Sequence, residues 1–160
     1  MRGLMKVAGL VALLFGGLLT ASAIGQGRLT PEAREEILKF ELTMPRANHL
    51  ITALEAMTKY VVSLPDYQDR IRKSVTMTPA ERIAQLEKDP KAAAILKENS
   101  LSAHDYMVGV PALRMALLAA KGGESLPNIA FSPANLAFAK ANLAQLKPKL
   151  EAVDGIRPAK

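Results

Sequence analysis

The chain has 160 residues, with 21 lysines and arginines against 15 acids, a net charge of +6 and no cysteine. No disulfide can cross-link it, and no thiolate can serve as nucleophile, zinc ligand or covalent haem attachment point. Its basic residues are spread along the chain rather than gathered on one stripe, which argues against nucleic acid as a partner.

The first 23 residues read as an export signal. Arg2 and Lys6 make a short basic start, Val7–Leu19 is an apolar run of 13 residues, and Ala21 and Ala23 occupy the two positions a signal peptidase reads. Met5 could itself be the true start, since the run from there still makes a signal. A membrane anchor needs about 20 apolar residues. This run is shorter and is broken by Gly16 and Gly17, so cleavage after Ala23 is expected and stable membrane insertion is not. Removing residues 1–23, which carry two cations and no acid, would leave 137 residues and a net charge of +4. That is the size of one domain with one core. The expected location is the periplasm or the medium.

Helix starts are legible along the remainder. Thr30-Pro31, followed by Glu32, Glu35 and Glu36, predicts a short helix over 31–41. Thr43-Met44-Pro45 opens a long one, in which Ala47, Leu50, Leu54, Met57, Val61 and Leu64 recur at spacings of three and four. Residues 64–78 read as a loop, with Asp66, Asp69, Arg70, Arg72 and Lys73 as a solvated charged segment. Thr78-Pro79-Ala80-Glu81 is a capping box opening a helix over 79–88, and Asp89-Pro90 opens another over 90–99. Ser102 to Asp105 starts a second long helix over 103–121, with Tyr106, Val110, Leu113, Leu117 and Ala120 as its stripe and Pro111 expected to kink it. After a loop over 122–131, Ser132-Pro133 opens a third long helix with Leu136, Ala139, Leu143, Leu146 and Leu150 inward. Pro148 should end or bend it near Lys147, and residues 153–160 read as a flexible tail. No strand pattern appears. The expectation is an all-α compact helical bundle of three long and about three short helices, spanning residues 24–152.

Candidate chemistry is sparse. His49 and His104 are the two histidines, and no spacing places two imidazoles on one helix face, so no metal site is expected. Met44, Met57, Met77, Met107 and Met115 are scattered, which suits core filling better than copper binding. A Met44 or Met57 pair with His104 could ligate a non-covalent haem only if the two faced each other across the helices. Asn135, Phe138 and Asn142 share one side of the last helix. Asparagine is a poor helix-interior residue, so these positions either bond to backbone, Asn135 back to Ser132 and Asn142 to a loop, or line a small polar pocket. His49, His104 and Tyr106 complete the candidate ligand-binding set. No nucleophile, paired-acid or phosphate-loop motif is present, so no catalytic residue and no cofactor are expected.

Two resemblances carry further expectations. Leu29-Thr30 with Pro31 to Ile37, and Thr78 to Ile83, resemble the L-T-x-x-Q segments of small periplasmic chaperones of the Spy/CpxP type, although Ala33 and Glu81 stand where the glutamine would be. Leu42-Thr43-Met44, Leu101-Ser102 with Tyr106, and Pro133, Asn135, Phe138 and Asn142 together resemble small exported helical proteins of proteobacteria without an assigned function. That resemblance implies export and an α fold, and no activity. The expected function is a non-enzymatic binding or protein-interaction module with a protein or small-molecule partner. A haem or copper carrier and a chaperone are the alternatives.

Overall fold

Five helices begin as the capping residues require. In a computed structural model of the chain, residues 30–122 and 131–157 are described; the expected leader over 1–23 and most of the expected 122–131 loop lie outside them. The hydroxyls of Thr30, Thr43, Thr78 and Ser132 and the carboxylate of Asp89 accept from the free N–H groups that open α1 (Pro31–Lys39), α2 (Met44–Ser63), α4 (Pro79–Lys88), α7 (Pro133–Asp154) and α5 (Pro90–Glu98). Both halves of the capping box form at Thr78 and Glu81. The hydrogen bonds from the Thr78 backbone and hydroxyl hold the Glu81 carboxyl below the usual carboxylate range. Ser102 and Asp105 make the reciprocal pair that opens α6 (Ala103–Gly122), at 2.7 and 2.9 Å. The remaining helix, α3 (Tyr67–Thr76), carries no side-chain cap.

The architecture is all-helical, with seven helices and no strand among the described residues. No helix among them is long and apolar enough to cross a membrane. α6 is the centre: α1, α2, α4, α5 and α7 all pack against it, and α6 with α7 is the most extensive pair. Between Tyr106 and Ala119 only Met107, Arg114 and Leu118 of α6 are not buried. The expected α2 stripe is buried from Ala47 to Val61, and Ala47, Leu50, Leu54 and Met57 meet Tyr106, Val110, Leu113 and Leu117 of α6 in the principal core. A second cluster sits on the other side of α6, where Ile37 of α1 packs on Val108, Ala112 and Met115 with Phe40 beside it.

Three expectations are corrected. The 64–78 segment is not a loop throughout, since it holds α3 and raises the short helices to four. Tyr67, Ile71 and Ser74 recur at four and three residues and turn toward α2, where Ile71 packs on Val61. The neighbouring charges stabilise the helix rather than dissolve it, because Asp66 pairs with Arg70 at 3.0 Å and Asp69 with Arg72, both across one turn. Of the two outcomes expected at Pro148, an end or a bend, the end does not occur. The last helix continues to Asp154, carried past the missing N–H by the burial of Leu146, Leu150 and Val153. Ile156 packs on the principal core as well, so the fold extends beyond residue 152 into the stretch expected to be a tail. Pro111 is likewise accommodated inside α6 and buried there.

Gly109 lets three elements meet. A Cβ built on it would lie 2.7 Å from Phe40 Cζ and 2.8 and 2.9 Å from the two Leu50 methyls, closer than non-bonded carbons pack. In an open helix interior Gly→Ala gains about 1 kcal/mol. Here overpacking of about 1–3 kcal/mol opposes that gain, because Leu50 is fully buried. The Gly109→Ala variant should therefore unfold at a lower urea midpoint than the wild type. A higher midpoint would contradict the packing.

Candidate functional site

The asparagine face does structural work at one end. Asn135 is buried in the first turn of α7, and its side chain does not turn back to Ser132 as expected. Its Nδ2 donates to the Phe40 carbonyl at 2.7 Å and its Oδ1 accepts from the Leu42 N–H at 3.0 Å. In an extended segment those two groups flank one residue and point the same way, so a single amide satisfies both. Arg46 covers the same linker from outside, stacked 5.3 Å over the Phe40 ring and donating to the Glu41 carbonyl at 3.1 Å. Asn142 donates to the Phe138 carbonyl of its own helix at 2.8 Å, not to a loop, and Phe138 packs partly buried on the core.

The other expected residues are dispersed. His49 is exposed on α2. His104 is exposed on the first turn of α6 and meets Glu36 of α1 at 3.3 Å. Met57 is in the principal core and Met44 packs against it, whereas His104 is exposed. No group of three or more His, Asp or Glu able to hold a metal occurs among the described residues. Tyr106 is fully buried, and its hydroxyl has no hydrogen-bond partner among the described residues. Burial pushes its pKa far up.

A polar node not expected from the sequence joins α2, α3 and α5. The Tyr60 hydroxyl donates to both Asp89 oxygens at 3.1 and 2.9 Å, Asp89 also accepts from the Lys91 and Ala92 N–H groups, and Arg70 stands 3.7 Å away. The recess beside it, about 20 Å³, fits one water.

The larger recess is a groove of about 170 Å³ between the C-terminal halves of α6 and α7. Leu117, Leu118, Leu143 and Leu150 make it apolar, and Arg114, Lys121, Lys147, Glu151 and Asp154 charge its edges. Along α6 it follows the stripe of Arg114, Leu118 and Lys121, spaced at four and three residues, which is less buried than the rest of the helix after Tyr106 among the described residues. Leu118 is 36% exposed, one of two large hydrophobic side chains in the described residues that reach that level. Arg114 is different, because its side chain is only 14% exposed. It donates through Nη1 and Nη2 to the two Asp154 oxygens at 3.2 and 2.7 Å, while its Nε is buried without a partner among the described residues. None of the six residues expected from the sequence lines this groove. The signal that could have found it is an arginine and a leucine four residues apart, off the apolar stripe of an otherwise uncharged run from Tyr106 to Ala120.

Comparison with known proteins gives no match to a family, to a curated protein or to a solved structure.

Two measurements test this geometry. Asn135→Ala would strand the Phe40 carbonyl and the Leu42 N–H, at a cost of about 2–4 kcal/mol in urea unfolding. Asn135→Asp should also be destabilised, and less so as pH falls, because only the protonated acid can donate to Phe40. The tyrosines predict an alkaline limit. Tyr60 is raised above its ordinary value of 10.0 by burial and then by its bond to Asp89, and Tyr106 by burial. A group that holds its proton more tightly when folded contributes stability below its unfolded pKa and loses it as pH rises through the folded one. Stability should therefore fall above pH 10, less steeply in Tyr60→Phe, and a stability profile flat through that range would refute the assignment.

Proposed function

We propose that the protein is an exported, non-enzymatic helical bundle that binds a small amphiphilic ligand in the groove between α6 and α7. The groove carries this reading. Along α6 the chain buries nearly every side chain from Tyr106 to Ala119, yet leaves Leu118 in solvent beside three more leucines and a ring of charge. An apolar floor with a few placed charges is what orients a ligand having one apolar and one charged end. The Arg2, Lys6 and Ala21-x-Ala23 pattern supports delivery to the periplasm or medium, free of its leader. A protein client is a weaker fit, since a holding chaperone needs a broad exposed apolar face. Val75, at 41%, and Leu118, at 36%, are the most exposed large hydrophobics among the described residues. Catalysis has little to build on, with His49 exposed and His104 engaged with Glu36 at the surface.

The test is a heteronuclear NMR titration of the mature protein with ten-carbon amphiphiles of anionic, neutral and cationic headgroup, below their micelle concentrations. At least one should shift the amides of Leu117, Leu118, Leu143 and Leu150 in a saturable way, and Leu143→Glu should abolish the response while the circular dichroism stays helical. Shifts scattered over the surface, or none with any headgroup, would remove the groove as a binding site.

A further inference from the structure

The groove holds an ion pair whose two members are secured unequally, and resting on the ligand-groove reading above, we infer that its ligand is a single-chain aliphatic carboxylate whose headgroup takes the place of Asp154 on Arg114. Arg114 is the fixed member, 14% exposed on the central helix, against 41% for Asp154. Its planar fork already donates to a carboxylate at two points, 3.2 and 2.7 Å, so a second carboxylate needs no new geometry. Asp154 is the replaceable member. It is the last residue of α7, where the negative end of the helix dipole makes a negative side chain unfavourable. Leaving Arg114 for solvent therefore costs Asp154 less than it would cost an acid at a helix start.

The remaining charges point the same way. The lining has three cations, Arg114, Lys121 and Lys147, and two acids, Glu151 and Asp154. Lys147 meets Glu151 at 3.7 Å, and Lys121 makes no ion pair among the described residues. With Asp154 turned to solvent the lining keeps three cations and one acid, so an added carboxylate lowers its excess positive charge, whereas an added ammonium would raise it. The four leucines of the lining give the chain an apolar track. The small volume suits one aliphatic chain rather than two, being below the usual range for engulfed ligands, about 300–1,000 Å³.

The experiment compares decanoate, decanol and decyltrimethylammonium by calorimetry and NMR on the mature protein, with wild type, Asp154→Asn, Arg114→Gln and Lys121→Gln. Decanoate should bind at least about tenfold more tightly than the ammonium. Asp154→Asn should bind decanoate several-fold more tightly than wild type, because the competing acid is gone. Arg114→Gln should lose about tenfold or more. Lys121→Gln, which removes a surface charge outside the core, should weaken decanoate binding and leave decanol unchanged. It keeps the test usable if Arg114→Gln fails to fold. An unchanged or weakened affinity in Asp154→Asn would overturn the exchange. Equal binding of all three headgroups would overturn the carboxylate preference while leaving the groove as a site. Binding of none would overturn the groove itself.

Discussion

Everything in this molecule depends on burying α6 without a covalent cross-link. A helix enclosed on nearly all sides cannot fold as an amphipathic surface element and must be surrounded. Apart from α2, the neighbours that do so are short or, in α7, interrupted by a proline. α1 is nine residues long and gives α6 one buried side chain, Ile37. Its position rests on the linker that follows, where one amide of Asn135 satisfies two backbone groups some 95 residues away in sequence. Gly109 then allows Phe40 and Leu50 to close over α6. The clamp and the close approach belong together, because the linker pinned by Asn135 is the one that places Phe40.

How much of this the sequence carries differs by scale. Helix starts were legible to the residue, because a capping side chain and a proline act within one turn and owe little to the rest of the chain. The three long stripes were legible for the same reason, since periodicity is local. Two things were not. α3 has one aliphatic side chain facing inward, Ile71, and its charges read as solvated until Asp66, Arg70 and Asp89 are seen in one place. The passage of α7 through Pro148 depends on what Leu150 and Val153 pack against, and local propensity says nothing about that.

The site shows the same division. Asn135 stood out in sequence as an asparagine needing a reason, and the reason is a backbone segment that no local pattern could supply. Tyr106 and the two histidines drew attention by residue type, whereas the groove is marked by context. A leucine in solvent and an arginine within an otherwise buried helix are unusual only once it is known that α6 is central. The Tyr60–Asp89–Arg70 node was invisible for a further reason. Asp89 already had a sufficient role as a helix cap, and that local explanation hid the side chains arriving from α2 and α3.

The wall of the groove formed by the end of α7 is held mainly by side chains. Pro148 cannot donate to the carbonyl four residues before it, so the turns from Lys149 to Asp154 continue with one ladder bond missing. What holds them against α6 is the burial of Leu150 and Val153 and the fork between Arg114 and Asp154. These two attachments are unlike in kind. The apolar one lies inside the principal core, where Leu150 and Val153 are both buried. The polar one is half exposed and ends the helix. A helix end anchored by its penultimate residue can let its last side chain turn outward without unwinding. The arrangement therefore separates the holding of the groove from the pairing of its charge, and that separation is what allows Arg114 to exchange carboxylates while the core stays closed.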